Sequence, residues 1–232
     1  MSASTLAILF LGLLAAYLFG SIPTGFVLAK VLKGIDIREH GSGNTGATNV
    51  FRVMGKGPGI AALVIDLLKG VAAVSLMRWM VLFALSLGAA EAVSGSVIYG
   101  NQLAAEPFID ILSWSLVSAA LMAVIGHSKS VWLGFTGGKS AATGLGVALA
   151  LAWPVGLGIA AVFAVVVGIS RTVSIGSIAA ALSATVFMLL TGQHVSFVLV
   201  AIAAGLYVVF RHRSNISRLL EGTEPKTFGS KG

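Results

Sequence analysis

No cysteine occurs in the chain, which excludes disulfides, thiolate nucleophiles and thiolate-bound metals. Charge is nearly as scarce. Charged residues make up 10% of the 232, where a soluble domain carries about 25%. Fifteen Lys and Arg with eight Asp and Glu cannot clothe a water-exposed surface of this size, so lipid must cover most of it. No basic residue precedes the first apolar run, Leu6 to Ala29, and Lys30 follows it. A cleaved secretory signal has the opposite order, so the run reads as a retained span with its N-terminus outside. Internal repeats, heptads and low-complexity tracts are also missing. What remains is 57% hydrophobic and contains 29 Gly, a composition suited to close packing of membrane helices.

A helix needs about 20 apolar residues to cross a bilayer. Residues 4–29, 58–77, 108–126, 174–192 and 193–210 qualify as spans. Two stretches are ambiguous: 79–104, apolar but holding Glu91, and 141–168, interrupted by Trp153-Pro154. The basic residues choose between topologies, because Lys and Arg favour cytoplasmic loops. They group in the loop from Lys30 to Lys56, at Lys129 and Lys139, at Arg171, and in the tail from Arg211 to Lys231; only Lys69 and Arg78 fall elsewhere. From Trp79 to Ser128 there is no Lys or Arg, but there are Glu91, Glu106 and Asp110.

That asymmetry makes 79–107 an extracytoplasmic insertion, helical and lying on or dipping into the membrane. It makes 141–168 two short helices meeting near Pro154, a broken hairpin that enters and leaves on the cytoplasmic side. The rival topology makes each a single span and moves the Lys129–Lys139 loop outside. The expected fold is an all-α polytopic membrane protein with about seven membrane helices, some short or broken, N-terminus outside and C-terminus cytoplasmic. Residues 1–232 form one domain.

Polar residues cluster at the span ends. The first cluster runs Gly41-Ser42-Gly43-Asn44-Thr45-Gly46-Ala47-Thr48-Asn49-Val50-Phe51-Arg52. Its glycines let backbone amides approach a ligand. Thr48 or Asn49 can cap the following helix, whose N-terminus favours anions, and Arg52 one turn in can grip a phosphate. A solvated loop with ordinary capping is the plainer alternative.

The second cluster is Gly126-His127 followed by Gly134-Phe135-Thr136-Gly137-Gly138-Lys139-Ser140-Ala141-Ala142-Thr143-Gly144. It is not a Walker A loop: Leu133 stands where the first Gly belongs, and no parallel sheet supports it. Amides that cradle phosphate oxygens beside a neutralising Lys139 are still the expected chemistry, with a glycine hinge as the alternative. His127 alone reads as a packing residue. Arg171 to Ser177 is a third cluster, and Arg211-His212-Arg213-Ser214-Asn215, with Glu224 beyond, a fourth. Arg211, His212 and Arg213, at a span's inner end, read by default as positive-inside anchors; Asn215 has no such job. Asp66 and Lys69 lie within a span at i,i+3 and read as a structural pair lining the bundle interior.

In this order the clusters, with Gly20-Ser21-Ile22-Pro23, Asp66-x-x-Lys69-Gly70 and Gly222-x-Glu224, resemble the membrane-integral acyl-phosphate:glycerol-3-phosphate acyltransferases of bacteria. The likeness spans nearly the whole chain, and its twelve-residue first motif is specific. It implies transfer of a fatty acyl group from acyl phosphate to the sn-1 hydroxyl of glycerol 3-phosphate, giving lysophosphatidic acid and phosphate at the first step of phospholipid synthesis. By that resemblance Ser42, His212 and Asn215 carry catalysis. Ser42, Asn44, Thr48, Asn49, Arg52, Gly137, Gly138, Lys139, Ser174 or Ser177, His212 and Asn215 hold the phosphates and the glycerol. No cofactor, metal or nucleic acid is implied. The expected partners are the two substrates, membrane lipids and a hand-off from the enzyme that makes acyl phosphate, with the site on the cytoplasmic face of the plasma membrane. Ser130 and Ser140 depart from the family, which usually has Pro and Gly there. A hydroxyl at 140 can donate to phosphate, and its Cβ restricts the loop. An organic-phosphate transporter with broken helices and a structural scaffold are the alternatives.

Overall fold

The computed structural model describes residues 3–93 and 105–226. Among these residues ten α-helices follow one another: α1 (Ala3–Ser21), α2 (Thr24–Lys33), α3 (Ala47–Met54), α4 (Lys56–Val93), α5 (Ala105–Ser128), α6 (Ala141–Leu151), α7 (Trp153–Ser170), α8 (Val173–Leu190), α9 (Val195–Arg211) and α10 (Arg213–Leu220). Among the described residues there is no strand, only a bridge between Ser130 and Thr136. The helices α1, α4, α5, α7 and α8 are long and apolar enough to cross a bilayer; α9 joins them when counted with α10 across a 56° bend. The apolar α6 has 11 residues. Leu6, Phe10, Trp79, Val165, Leu189 and Leu206 point outward, as lipid requires. The core lies where α1, α4, α5, α6, α7, α8 and α9 meet, around Ala16, Met77, Ala120, Val155 and Ala201.

Small residues set the helix spacing. A Cβ on Gly20 would lie 2.2 Å from the Ala123 carbonyl oxygen, and one on Gly126 would lie 2.3 Å from that of Tyr17. These reciprocal contacts clamp α1 on α5 through backbone rather than side chains.

The expected first span, 4–29, is two helices. Pro23 has no N–H to donate, and the chain breaks at Ile22-Pro23. The buried Lys69 ammonium fills the gap by donating to the Ile22 carbonyl at 2.9 Å. Lys69 also pairs with Asp66 at 2.8 Å, and His127 Nδ1 lies 3.6 Å from the same carboxylate oxygen. The Asp66–Lys69 pair is therefore structural, as expected, and it stabilises the break between α1 and α2.

The helix from 58 does not end at 77. Lys56–Val93 is one α-helix, because Leu, Met and Ala dominate 79–93 and no proline interrupts it. Arg78 does not mark a water boundary; its guanidinium donates to the Ala150 carbonyl at 2.8 Å, satisfying an orphan oxygen at the end of α6. The proposed insertion at 79–107 thus begins inside α4, and residues 94–104 lie outside the described residues.

The 141–168 run divides at Ala152, near Pro154 as expected, and Pro154 occupies the first turn of α7. An absent N–H costs nothing there. A Cβ on Gly156 would lie 2.7 Å from the Leu149 Cα, so α7 folds back against α6. Of the two, α6 is short but α7 has 18 residues, enough to span where a short helix was expected.

Removing one member of the Asp66–Lys69 pair strands the other. Asp66→Leu is expected to destabilise the protein in detergent by about 3 kcal/mol or more, read from thermal unfolding. Asp66→Leu combined with Lys69→Leu should lose less than the two single changes together.

Candidate functional site

The four polar clusters converge on one end of the bundle. They surround a cavity of about 230 Å³ that runs from a polar mouth into an apolar tunnel. A second, polar bay of about 290 Å³ adjoins it, lined by Gly41, Ser42, Asn44, Arg52, Lys139, Ser214, Arg218 and Pro225. Ser42, Asn44, Arg52, Lys139, Arg218 and Pro225 line both.

Four helices begin at the mouth. It is lined by Gly46, Ala47 and Thr48 of α3, Ser140, Ala141 and Ala142 of α6, Val173 and Ser174 of α8, and His212 and Asn215 of α10. No side chain caps any of these four N-termini. Each carries unsatisfied amides and the positive end of a helix dipole. Together with Arg52, Lys139 and Arg218 they make the mouth a site for anions.

The first motif is shaped by Asn49, which is 2% exposed. Its carboxamide accepts from Ser42 N at 2.8 Å and donates to the carbonyls of Ile37, His40 and Asn44. Gly41 and Gly43 take positive φ of 62° and 68° so that the loop can close round it. The cap expected from Thr48 or Asn49 does not form: α3 starts at Ala47 with Gly46 as N-cap, which places both residues inside the helix. The Asn44 side chain accepts from Gly46 N instead. Arg52 lies in the last turn of α3, deeper in the helix than expected, and still faces both compartments.

In the second motif His127, Lys139 and Ser140 reach the cavity, and so do Ala141, Ala142 and Gly144 in the first turn of α6. Gly137 and Gly138 do not line it. They are needed for contact: a Cβ on Gly138 would lie 2.0 Å from His127 Nε2, and one on Gly137 2.3 Å from the His127 carbonyl oxygen. Their carbonyls accept from the Arg211 guanidinium at 3.1 and 2.8 Å. Arg211 therefore holds the loop rather than serving only as an anchor. Arg213, over the Phe210 ring at 4.9 Å, fits the anchor role. Ser140 keeps the positive φ, 63°, that the usual glycine would adopt, and its buried hydroxyl donates to the Val124 carbonyl at 2.8 Å. It is not free for a ligand. The Ser130 hydroxyl donates likewise to Ser21 O at 2.6 Å, tying the loop to α1.

Lys139 donates to Asn215 Oδ1. The Asn215 amide donates to Glu224 Oε1 at 2.6 Å, and Arg218 Nε donates to Glu224 Oε2 at 2.7 Å. Burial, then the nearby Arg218 charge, lowers the Lys139 pKa to about 8. For Glu224, burial pushes the carboxyl up, but hydrogen bonds from Asn215 and Arg218 among others outweigh it and hold it low. His212 is 4% exposed, and burial lowers its pKa. Its Nδ1 donates to the Val208 carbonyl at 2.8 Å. The neutral ring therefore carries its lone pair on Nε2, a proton acceptor at the mouth. Ser174 and Ser177 both line the cavity and are both buried.

Arg218 and Glu224 were not among the expected binding residues. Arg218 is three residues after Asn215, on the same face of α10, and the chain turns at Gly222, φ 70°, to bring Glu224 back. Below the mouth the walls become apolar: Leu145 and Ala148 of α6, Phe163 of α7, Ala180 and Ala184 of α8, and Ala201 and Gly205 of α9. Small side chains there leave the space that larger ones would fill.

A family profile described as glycerol-3-phosphate acyltransferase matches residues 10–222. The chain is 51% identical over 215 residues to a glycerol-3-phosphate acyltransferase of Acaryochloris marina (strain MBIC 11017), covering 92% of this chain and 90% of that one. It is 50% identical over 216 residues to another from Nostoc sp. (strain PCC 7120 / SAG 25.82 / UTEX 2576), covering 92% and 89%. It is also similar to the crystal structure of PlsY (YgiH), an integral membrane glycerol 3-phosphate acyltransferase. The glycerol 3-phosphate form superposes with a TM-score of 0.77 at 38% identity, over 98% of this chain and 96% of that one. The lysophosphatidic acid form gives 0.75 at 38%, over 95% of each.

The packing of Gly138 on His127 is directly testable. Gly138→Ala should destabilise the protein by about 1–3 kcal/mol through overpacking. His127→Ala in the same chain should restore part of that loss, measured as coupling in a thermal-unfolding double-mutant cycle. Strict additivity would show that the two residues do not touch.

Proposed function

The chain belongs to the glycerol-3-phosphate acyltransferase family, an integral membrane enzyme of phospholipid biosynthesis, and from that premise we propose that its acyl donor is acyl phosphate. The fatty acyl group passes to the sn-1 hydroxyl of glycerol 3-phosphate, and the products are lysophosphatidic acid and inorganic phosphate. One observation carries this proposal: an anion-binding mouth opens both to a polar bay and to an apolar tunnel. Glycerol 3-phosphate suits the bay. Acyl phosphate, with a charged head and a hydrocarbon tail, suits the mouth and the tunnel.

Arg52 and Lys139 face both compartments and neutralise the two phosphates. Ser42, Asn44 and Thr48 hold the glycerol phosphate, and Ser174 and Ser177 contact the acyl phosphate. Asn49 shapes the loop, and Gly137 and Gly138 support Lys139. Asn215 orients the Lys139 ammonium. Acyl phosphate is a mixed anhydride with phosphate as its leaving group, so positioning and charge stabilisation supply most of the catalysis. The attacking hydroxyl forms the ester bond as the carbonyl–phosphate bond breaks, with no covalent acyl-enzyme. The fixed Nδ1–H tautomer supports His212 Nε2 as acceptor of the hydroxyl proton, in preference to a donor role among the surrounding cations.

A transporter would hold its ligand near the bilayer midplane with access from both sides. Here the cations gather at one end of the cavity and its far end is apolar, which favours the enzyme. The basic loops at that end favour a cytoplasmic orientation, in which the enzyme that makes acyl phosphate can hand over its product.

Purified protein in lipid, given palmitoyl phosphate and glycerol 3-phosphate, should release lysophosphatidic acid and phosphate. Arg52→Ala should lower kcat/KM by about 10- to 100-fold, the worth of a charged hydrogen bond. No product, with Arg52→Ala unchanged from wild type, would end this proposal.

A pKa near 8 makes Lys139 cationic below that pH and neutral above it. KM for the phosphate substrates is therefore expected to climb between pH 7 and 9. Lys139→Arg, which stays charged, should flatten that limb.

Topology can be checked with a single cysteine in this cysteine-free chain. Ser128 is fully buried but Lys129 is exposed, so Lys129→Cys should react with an impermeant thiol reagent only from the cytoplasmic side. Labelling from outside alone would reverse the orientation.

A further inference from the structure

The tunnel has a floor, and the floor differs from the walls. The mouth end of α8 presents Ser174 and Ser177, the middle presents Ala180, Ala181 and Ala184, and the last turn presents Met188. The opposing α9 wall is Ala204 and Ala201 with Val200 below, and α6 ends on Leu151. The α8 and α9 walls of the upper tunnel are thus mostly alanines, and the deep end is closed by larger side chains from three helices. Met188 is 2% exposed, against Val200 at 7% and Leu151 at 8%. It is unbranched and flexible, able to fill or vacate an irregular space.

From these placements we propose that Met188, backed by Val200, sets the length of acyl chain that the enzyme prefers. The proposal rests on the acyl group occupying the tunnel. Ser174 and Met188 are fourteen residues apart on one helix, about 21 Å at 1.5 Å per residue. Ala141 and Leu151 span ten residues of α6, about 15 Å on the same rise. A carbon–carbon bond of about 1.5 Å advances an extended chain by about 1.25 Å. The tunnel therefore accepts a tail of about 12 to 17 carbons. A longer tail must displace Met188 or bend out between helices, and a shorter one leaves the Met188 end unfilled. Position 188 touches the far end of the tail and not the reacting atoms, so it acts on specificity.

The test is a chain-length profile. Wild-type protein and variants in lipid are given glycerol 3-phosphate with saturated acyl phosphates from decanoyl to eicosanoyl, and kcat/KM is measured for each. Met188→Ala should move the optimum to longer chains by about two carbons, each carbon counting for about 1.25 Å. Met188→Phe and, independently, Val200→Phe should move it to shorter chains. Leu182→Ala, on the lipid side of the same helix at 51% exposure, should keep the wild-type profile. An unshifted optimum in Met188→Ala and Val200→Phe, with wild type active, overturns the proposal, as does an equal loss at every length. If wild type uses no acyl phosphate at any length, the donor assignment fails instead.

Discussion

Inside a bilayer no water can satisfy an interrupted helix, so each break needs a specific partner for its freed backbone groups. That constraint organises this protein. The α1–α2 break leaves the Ile22 carbonyl, which Lys69 fills. The end of α6 leaves the Ala150 carbonyl, which Arg78 fills. The carbonyls of Gly137 and Gly138 ahead of α6 are filled by Arg211. Lys69 and Arg78 are the two cations that the loop-charge pattern left over. Asp66 neutralises Lys69 within the bundle. Lys69 and Arg78 reside within the apolar sequence of unbroken α4 because the chain packed against it breaks opposite them, and those breaks are where the architecture departs from straight spans.

The breaks also make the site. A chain that threads straight spans presents few helix N-termini at any one depth. This chain restarts at Ala47, Ala141, Val173 and Arg213, and all four starts face one cavity without side-chain caps. Uncapped amides and dipoles then add to Arg52, Lys139 and Arg218. Glu224, its side chain only 7% exposed, is held among these cations by Asn215 and Arg218. The scarcity of acids noted at the outset has its structural counterpart here: Asp66 and Glu224 are the carboxylates that line the cavity, and both are engaged with cations.

Much of the site could be read along the chain. The Gly41–Arg52 motif, Lys139, Ser174, Ser177, His212 and Asn215 all come to one end of the bundle, as their shared loop charge implied. Glycine was the weak point of that inference. A Gly-rich loop beside a lysine is equally consistent with amides that cradle phosphate and with backbone packed hard against a neighbour. Gly137 and Gly138 follow the second pattern, because His127 occupies the space their side chains would need. The caps expected from Thr48 and Asn49 failed for a related reason. A polar residue near a helix start serves equally as cap, pocket wall or loop strut, and Asn49 is a strut since four backbone partners surround it. Ser140 reproduces the glycine conformation because a buried hydrogen bond to Val124 offsets its strain.

The amino-acid sequence by itself determined that the protein is a polytopic helical membrane enzyme of the glycerol-3-phosphate acyltransferase family, with its polar clusters at one face. Hydropathy, charge asymmetry and motif order are properties of the linear chain and survive without coordinates. Only the tertiary structure decided where α4 ends relative to Arg78, that α6 and α7 divide at Ala152, that His212 holds its proton on Nδ1, and that Met188 floors an apolar tunnel. Each of these depends on which side chains from distant segments meet. Such contacts form only when helices separated by tens of residues pack together, and no local pattern records the distance between them.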